Sequence, residues 1–302
     1  MSIQEIRYKG ISALSLEGGG LRATILPSQG AKLASLVRLS DGKELLAVKA
    51  GEHYRALSYD GDYVSSECSA FDDMFPTVDP YTPTVGSYKG VTYPDHGEVC
   101  RIPYAWSAEG ACIHLRSASR RFPLQYDKRV LVREDALILA YDIQNQADVP
   151  FPFLWAGHIM LRGEDGMRLL TPFTEDSPTE LMFGPEGAEL SRLPKDRLMG
   201  FAPGEGAAYK FYYTEPMKEG RFGVSYPDGS ALLFTVDEKK LPYLGIWLNN
   251  GAFQDMYSIT PEPCSVPFDS PEKAAARGAR SIIPPRASFS FEMKITLKEK
   301  NV

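Results

Sequence analysis

Ser288-Phe289-Ser290-Phe291-Glu292-Met293-Lys294-Ile295-Thr296-Leu297 decides the fold class of this chain. Apolar and polar residues alternate without a break, so one face of the segment is apolar and the other polar. That period of two belongs to a β-strand with one buried side. The same grammar recurs upstream. Arg129-Val130-Leu131-Val132 and Leu137-Ile138-Leu139-Ala140-Tyr141 flank Arg133-Glu134-Asp135-Ala136, the pattern of a hairpin. Further strands are expected at 21–26, 33–39, 112–116, 208–213, 221–226, 231–236 and 243–248. Turn formers punctuate them, as in Tyr226-Pro227-Asp228-Gly229-Ser230. A single helix is well written: Ser270 caps it, Pro271 occupies its first position and Gly278 ends it. The 172–206 stretch, rich in proline, glycine and charge, reads as long loops. The expectation is an all-β protein, a large antiparallel β-sandwich.

The 302 residues carry 33 Lys and Arg against 39 Asp and Glu, a net charge of −6 with no basic cluster, so a nucleic-acid partner is not expected. No apolar run reaches the ~20 residues of a membrane helix. The first residues lack a basic segment followed by an apolar one, so a cytoplasmic protein is expected. Cys68, Cys100, Cys112 and Cys264 lie far apart, without metal-ligand spacing, and are read as reduced thiols.

Chemistry has few places to reside. No phosphate-binding loop, nucleophile elbow or His-Glu-x-x-His motif occurs. Glu17-Gly18-Gly19-Gly20 precedes a strand and reads as a turn. Of the four histidines, His114 falls inside an alternating strand and reads as structural, while His53 has no visible companion. His96 sits in Asp95-His96-Gly97-Glu98, a tight turn whose glycine permits close approach, as turn stabiliser or ligand contact. His158 follows the apolar run Phe153-Leu154-Trp155-Ala156-Gly157 and is either a satisfied core group or an acid/base. Glu262, between Pro261 and Pro263, is a carboxylate on stiff backbone: a surface loop residue or a general base.

In order, these segments resemble the aldose 1-epimerase (galactose mutarotase-like) superfamily over most of the chain. The fragments are Gly30-Ala31-Lys32-Leu33, Asp73-Met74-Phe75-Pro76-Thr77, His96-Gly97-Glu98-Val99-Cys100-Arg101, Trp155-Ala156-Gly157-His158, Tyr243-Leu244-Gly245-Ile246-Trp247 and Pro261-Glu262-Pro263. The resemblance implies one domain over 1–302, a supersandwich with a sugar cleft, and an isomerase that interconverts aldose anomers without metal or cofactor. It implies Glu262 as general base and His158 as general acid, ionised and protonated together. Substrate contacts would come from His96, Arg101, Asp73, Phe75 and Trp247, in a monomer or homodimer that binds a small sugar. The chain departs from the galactose mutarotase pattern in two places. Asp72-Asp73 stands where an Asn-Arg pair is expected, and no Asp-His pair occurs between 202 and 236. A sugar-binding protein without catalysis and a hexose-6-phosphate epimerase are the alternatives. Arg101, Arg120, Arg121 and Lys89 would favour a phosphate, whereas Asp72, Asp73, Asp95 and Glu98 would oppose it. The balance favours an unphosphorylated aldose.

Overall fold

The computed structural model describes residues 3–190 and 206–300. Two antiparallel sheets dominate it. In the eight-stranded sheet, Ser288–Lys298 lies between Ala231–Val236 and Ala136–Asn145. Phe291, Met293 and Ile295 are buried there while Ser288, Ser290 and Glu292 face water, as the alternation dictates. The expected hairpin extends from Leu124–Arg133 to Ala136–Asn145, around Glu134 and Asp135. Cys112–Ala118, Ala105–Glu109, Arg221–Ser225 and Arg168–Leu170 complete this layer.

The eleven-stranded sheet is the larger layer. Its first half runs in near-sequence order through Gln4–Tyr8, Ile11–Gly18, Leu21–Leu26, Lys32–Arg38 and Phe71–Met74. The order then jumps to Ala156–Ile159, Tyr257–Cys264, Tyr243–Asn250, Ala207–Tyr213 and Thr179–Phe183, with Leu161–Arg162 paired on Tyr257–Cys264. Apolar side chains of both sheets merge into one core, Leu14, Leu33 and Phe71 from the larger meeting Ile113, Leu139 and Ile295 from the smaller. The chain is therefore a large antiparallel β-sandwich.

Two local readings change. Part of the expected 172–206 loop is the strand Thr179–Phe183, and residues 191–205 lie outside the described ones. Glu262 sits inside a strand, not on a loop. Prolines argue against a central strand because they cannot donate to a ladder. Tyr257–Cys264 accommodates them because only one of its edges is continuously paired. Tyr243–Asn250 matches it along its whole length, whereas among the described residues the other edge is paired only at Ser258, Ile259 and Cys264. Pro261 and Pro263 fall in that gap. The helix Pro271–Ala276 forms as expected, with Ser270 Oγ accepting from the Lys273 amide at 3.2 Å.

Candidate active site

The gap beside Pro261 and Pro263 is where the candidate site forms. Cross-strand pairing sets two adjacent rows on one face of the larger sheet, Lys210–Trp247–Thr260 and Tyr212–Gly245–Glu262. Residues opposite each other across a ladder share a face, so Lys210, Trp247 and Glu262 point the same way. A Cβ on Gly245 would lie 2.7 Å from the Tyr212 ring, so glycine is what lets Tyr212 lie across that row. Ala156 pairs with Cys264 and His158 with Asp72, which brings His158 onto the same face beside Glu262.

His158 Nε2 stands 3.7 Å from Glu262 Oε1. Among the described residues neither His158 Nδ1 nor Glu262 Oε1 has a hydrogen-bond partner, although both are buried. Unpaired buried polar atoms are costly and rare, and two neighbouring residues that each carry one mark a place suited to another molecule's polar groups. The other Glu262 oxygen accepts from Lys210 Nζ, which also lies 3.2 Å from Asp269 Oδ1. Asp269 in turn accepts from the Tyr212 hydroxyl at 2.6 Å.

The third face comes from the His96 turn. His96 and Gly97 both take positive φ, 55° and 75°. A Cβ on Gly97 would lie 2.3 Å from the Phe75 carbonyl oxygen, so the turn rests directly on the backbone beneath it. His96 Nδ1 lies 2.9 Å from Asp95 Oδ2, and its ring stacks on Tyr63 at 4.0 Å between centroids. Tyr63 meets His158 edge-on at 6.4 Å and donates its hydroxyl to Asp72, which Lys32 neutralises at 2.8 Å. His96, His158, Lys210, Trp247 and Asp269 line a cavity of about 270 Å³. Phe183, Trp247 and Phe253 form an aromatic wall there, with centroids 5.2 to 5.7 Å apart.

The Gly97 turn yields a direct prediction. Gly97→Ala adds a backbone clash to the strain of a left-handed residue, about 1–3 kcal/mol from strain alone. Gly42 provides the control, with φ 74° and open space around its missing Cβ. Urea midpoints of the two alanine variants should fall unequally, Gly97→Ala losing distinctly more. Equal losses would show that the Phe75 contact yields easily.

Electrostatics follow from burial. Burial pushes the Glu262 carboxyl above the ordinary carboxylate range, Lys210 opposes the rise and Asp269 adds to it. Burial likewise holds the His158 imidazole well below its usual value, helped by the electrostatic influence of nearby His96, Lys210 and Lys32. Burial disfavours the Lys210 charge, yet Asp269 and Glu262 outweigh it and keep the ammonium protonated. One cation thus faces two carboxylates, which leaves Glu262 under-compensated. Burial thus opposes the charged imidazole that proton donation by His158 would need.

Three of the expected substrate contacts lie elsewhere. Asp73 neighbours Asp72 but points to the opposite face, because strand side chains alternate. There it accepts from Lys128 Nζ at 2.6 Å and the Tyr141 hydroxyl at 2.9 Å, between the sheets. Arg101 spends its guanidinium on the carbonyls of Gly97, Tyr59, Gly61 and Asp95, at 2.6 to 3.2 Å. It shapes the turn under His96 and has little left for a ligand. Phe75 is fully buried against Tyr126, Phe151 and Phe153. Glu98 is also internal, accepting from Tyr59, Ser119, Tyr126 and the amides of Arg120 and Arg121. Lys210 and Asp269 were not anticipated. The signal for Lys210 was a lysine on an apolar strand, Tyr209-Lys210-Phe211-Tyr212-Tyr213, where a cation needs a buried partner.

Solved structures place this architecture. The chain superimposes on a candidate aldose 1-epimerase from Escherichia coli K12 over 99% of its length and 100% of that chain, with a TM-score of 0.65 and 14% identity. A galactose mutarotase-like protein from Lactobacillus casei covers 95% of this chain and 100% of its own, with a TM-score of 0.64 and 18% identity. One from Clostridium acetobutylicum covers 99% of both, with a TM-score of 0.65 and 13% identity. No protein-family sequence model and no curated protein sequence matches the chain. The chain shares the fold of these galactose mutarotase-like structures. Among the described residues no helix is long and apolar enough to cross a membrane.

Proposed function

We propose that this chain is an aldose 1-epimerase, exchanging the α and β anomers of a sugar by opening and closing its ring. The observation that carries the reading is the pair His158 and Glu262, 3.7 Å apart with an unpartnered buried atom on each. An oxygen at hydrogen-bond length, about 2.8 Å, can touch both groups at once. Anomer exchange needs such a pair at one carbon. One group takes the proton of the C1 hydroxyl while the other gives a proton to the ring oxygen. After rotation about C1–C2, closure on the other face reverses both transfers.

One proton between the two groups suffices for this cycle. Burial favours the neutral form of each group and so brings their two affinities for that proton closer together. With a sugar in place the carboxyl and the imidazole exchange it through the substrate, and Lys210 steadies the carboxylate whenever it forms. A base whose pKa is raised towards the working pH is the stronger acceptor. His96 would hold a hydroxyl, and the wall of Phe183, Trp247 and Phe253 would pack a pyranose face.

The test is a polarimetric and NMR screen of anomer exchange on purified protein. Catalysed exchange on at least one aldose is the expected result. Sugar binding without exchange would instead make the protein a carbohydrate-binding member of this fold.

A further inference from the structure

A second concavity adjoins the site cavity. It encloses about 1010 Å³, and Lys49, Arg55 and Arg162 line it. Val64, Gln254 and Met256 belong to the walls of both spaces. Gln254 donates to the Val64 carbonyl along this border, and both residues are exposed, so the divider is a sill open to solvent.

The charge in this groove is unmatched. Among the described residues neither Arg55 nor Arg162 has an ion-pair partner, and both are exposed. The single carboxylate of the lining is Asp255. Lys49 gives its ammonium to the Ser66 carbonyl, not to an acid. Burial pushes that ammonium below its ordinary value, with the Arg55 charge adding to the fall. Three cations against one carboxylate is a local excess in a chain of net charge −6. Three of the acids expected to repel an anion at the site are also spoken for. Asp72 is neutralised by Lys32, Asp73 by Lys128, and Glu98 is enclosed by donors.

Resting on the mutarotase reading, we propose that the substrate is an anionic sugar, its reducing ring in the site cavity and its acidic substituent in the groove of Lys49, Arg55 and Arg162. The acid is a phosphate monoester on the ring or the carboxylate of a second, uronate residue. Guanidinium groups suit either oxyanion. This reverses the lean towards a neutral aldose, because three of the four acids behind that lean are consumed inside the fold and the fourth, Asp95, is paired with His96.

The experiment compares glucose, glucose 6-phosphate, a neutral disaccharide and a uronate-terminated disaccharide, by anomer exchange and by calorimetric binding, on wild type, Arg55→Ala and Arg162→Ala. One anionic arm should exceed its neutral counterpart in affinity, the advantage shrinking at high salt. Which arm wins identifies the acid. Each arginine variant should raise KM for that sugar by about tenfold, the worth of one charge-assisted hydrogen bond. KM for the neutral sugars should not move. Equal affinities for charged and neutral sugars, unaltered in the variants, would overturn the anionic subsite while leaving the mutarotase reading intact. Charge-selective binding without exchange on any arm would do the reverse.

Discussion

Glu262→Gln is expected to abolish anomer exchange while leaving sugar binding nearly intact. The carboxyl is fully buried, one oxygen held by Lys210 and the other unpartnered 3.7 Å from His158. Glutamine preserves volume, and its carbonyl oxygen can still accept from Lys210, which retains Asp269 as counter-charge. It has no titratable proton to exchange. A positioned acid or base is worth about 10² to 10⁴ in rate, and in this cycle the same group serves both opening and closure. Turnover should therefore drop by at least the upper part of that range, with calorimetric affinity for the best sugar changed only slightly. Near wild-type exchange in the variant would remove Glu262 from the chemistry.

The strands were legible because their code is local. Leu21–Leu26 and Ala231–Val236 have the bounds their alternation assigns, and the Ser270 cap sits where a serine before proline should. Glu262 and His158 were legible as individual residues from stiff backbone and apolar context. Their convergence was not, because it depends on a jump in strand order that joins Ala156–Ile159 to Tyr257–Cys264. The misplacements have the same origin. Asp73 differs from Asp72 by one step of a two-residue period, and no pattern in four buried residues says which of two adjacent acids shares the face of His158. Arg101 lies beside His96 in sequence, but its role is set by carbonyls of Tyr59 and Gly61, some 40 residues away. Lys210 was hidden because its meaning depends on two carboxylates, Glu262 and Asp269, that lie more than 50 residues later.

Lys210→Met tests that hidden triad through stability as well as activity. Lys210 is the cation between two buried carboxylates, and methionine replaces its stem without its charge. Breaking a buried ion pair by removing one partner typically costs about 3–5 kcal/mol, because the other charge stays behind. The pH dependence follows from the direction in which Glu262 already leans. Burial raises its folded-state pKa above the unfolded value, and Lys210 is the main influence lowering it. Without Lys210 the folded-state value rises further. A carboxyl with a raised folded pKa binds its proton more tightly when folded, so stability is retained at acid pH and lost as pH climbs through the folded value. The gap between variant and wild type should therefore be small near pH 4.5 and widen towards pH 7.5, read as urea midpoints at matched slopes. Adding Glu262→Gln to Lys210→Met should recover part of the loss, since the uncompensated charge is then gone, and the cycle of single and double variants isolates that coupling. A gap that is constant with pH, with no recovery in the double variant, would mean that Lys210 stabilises the strand by packing alone.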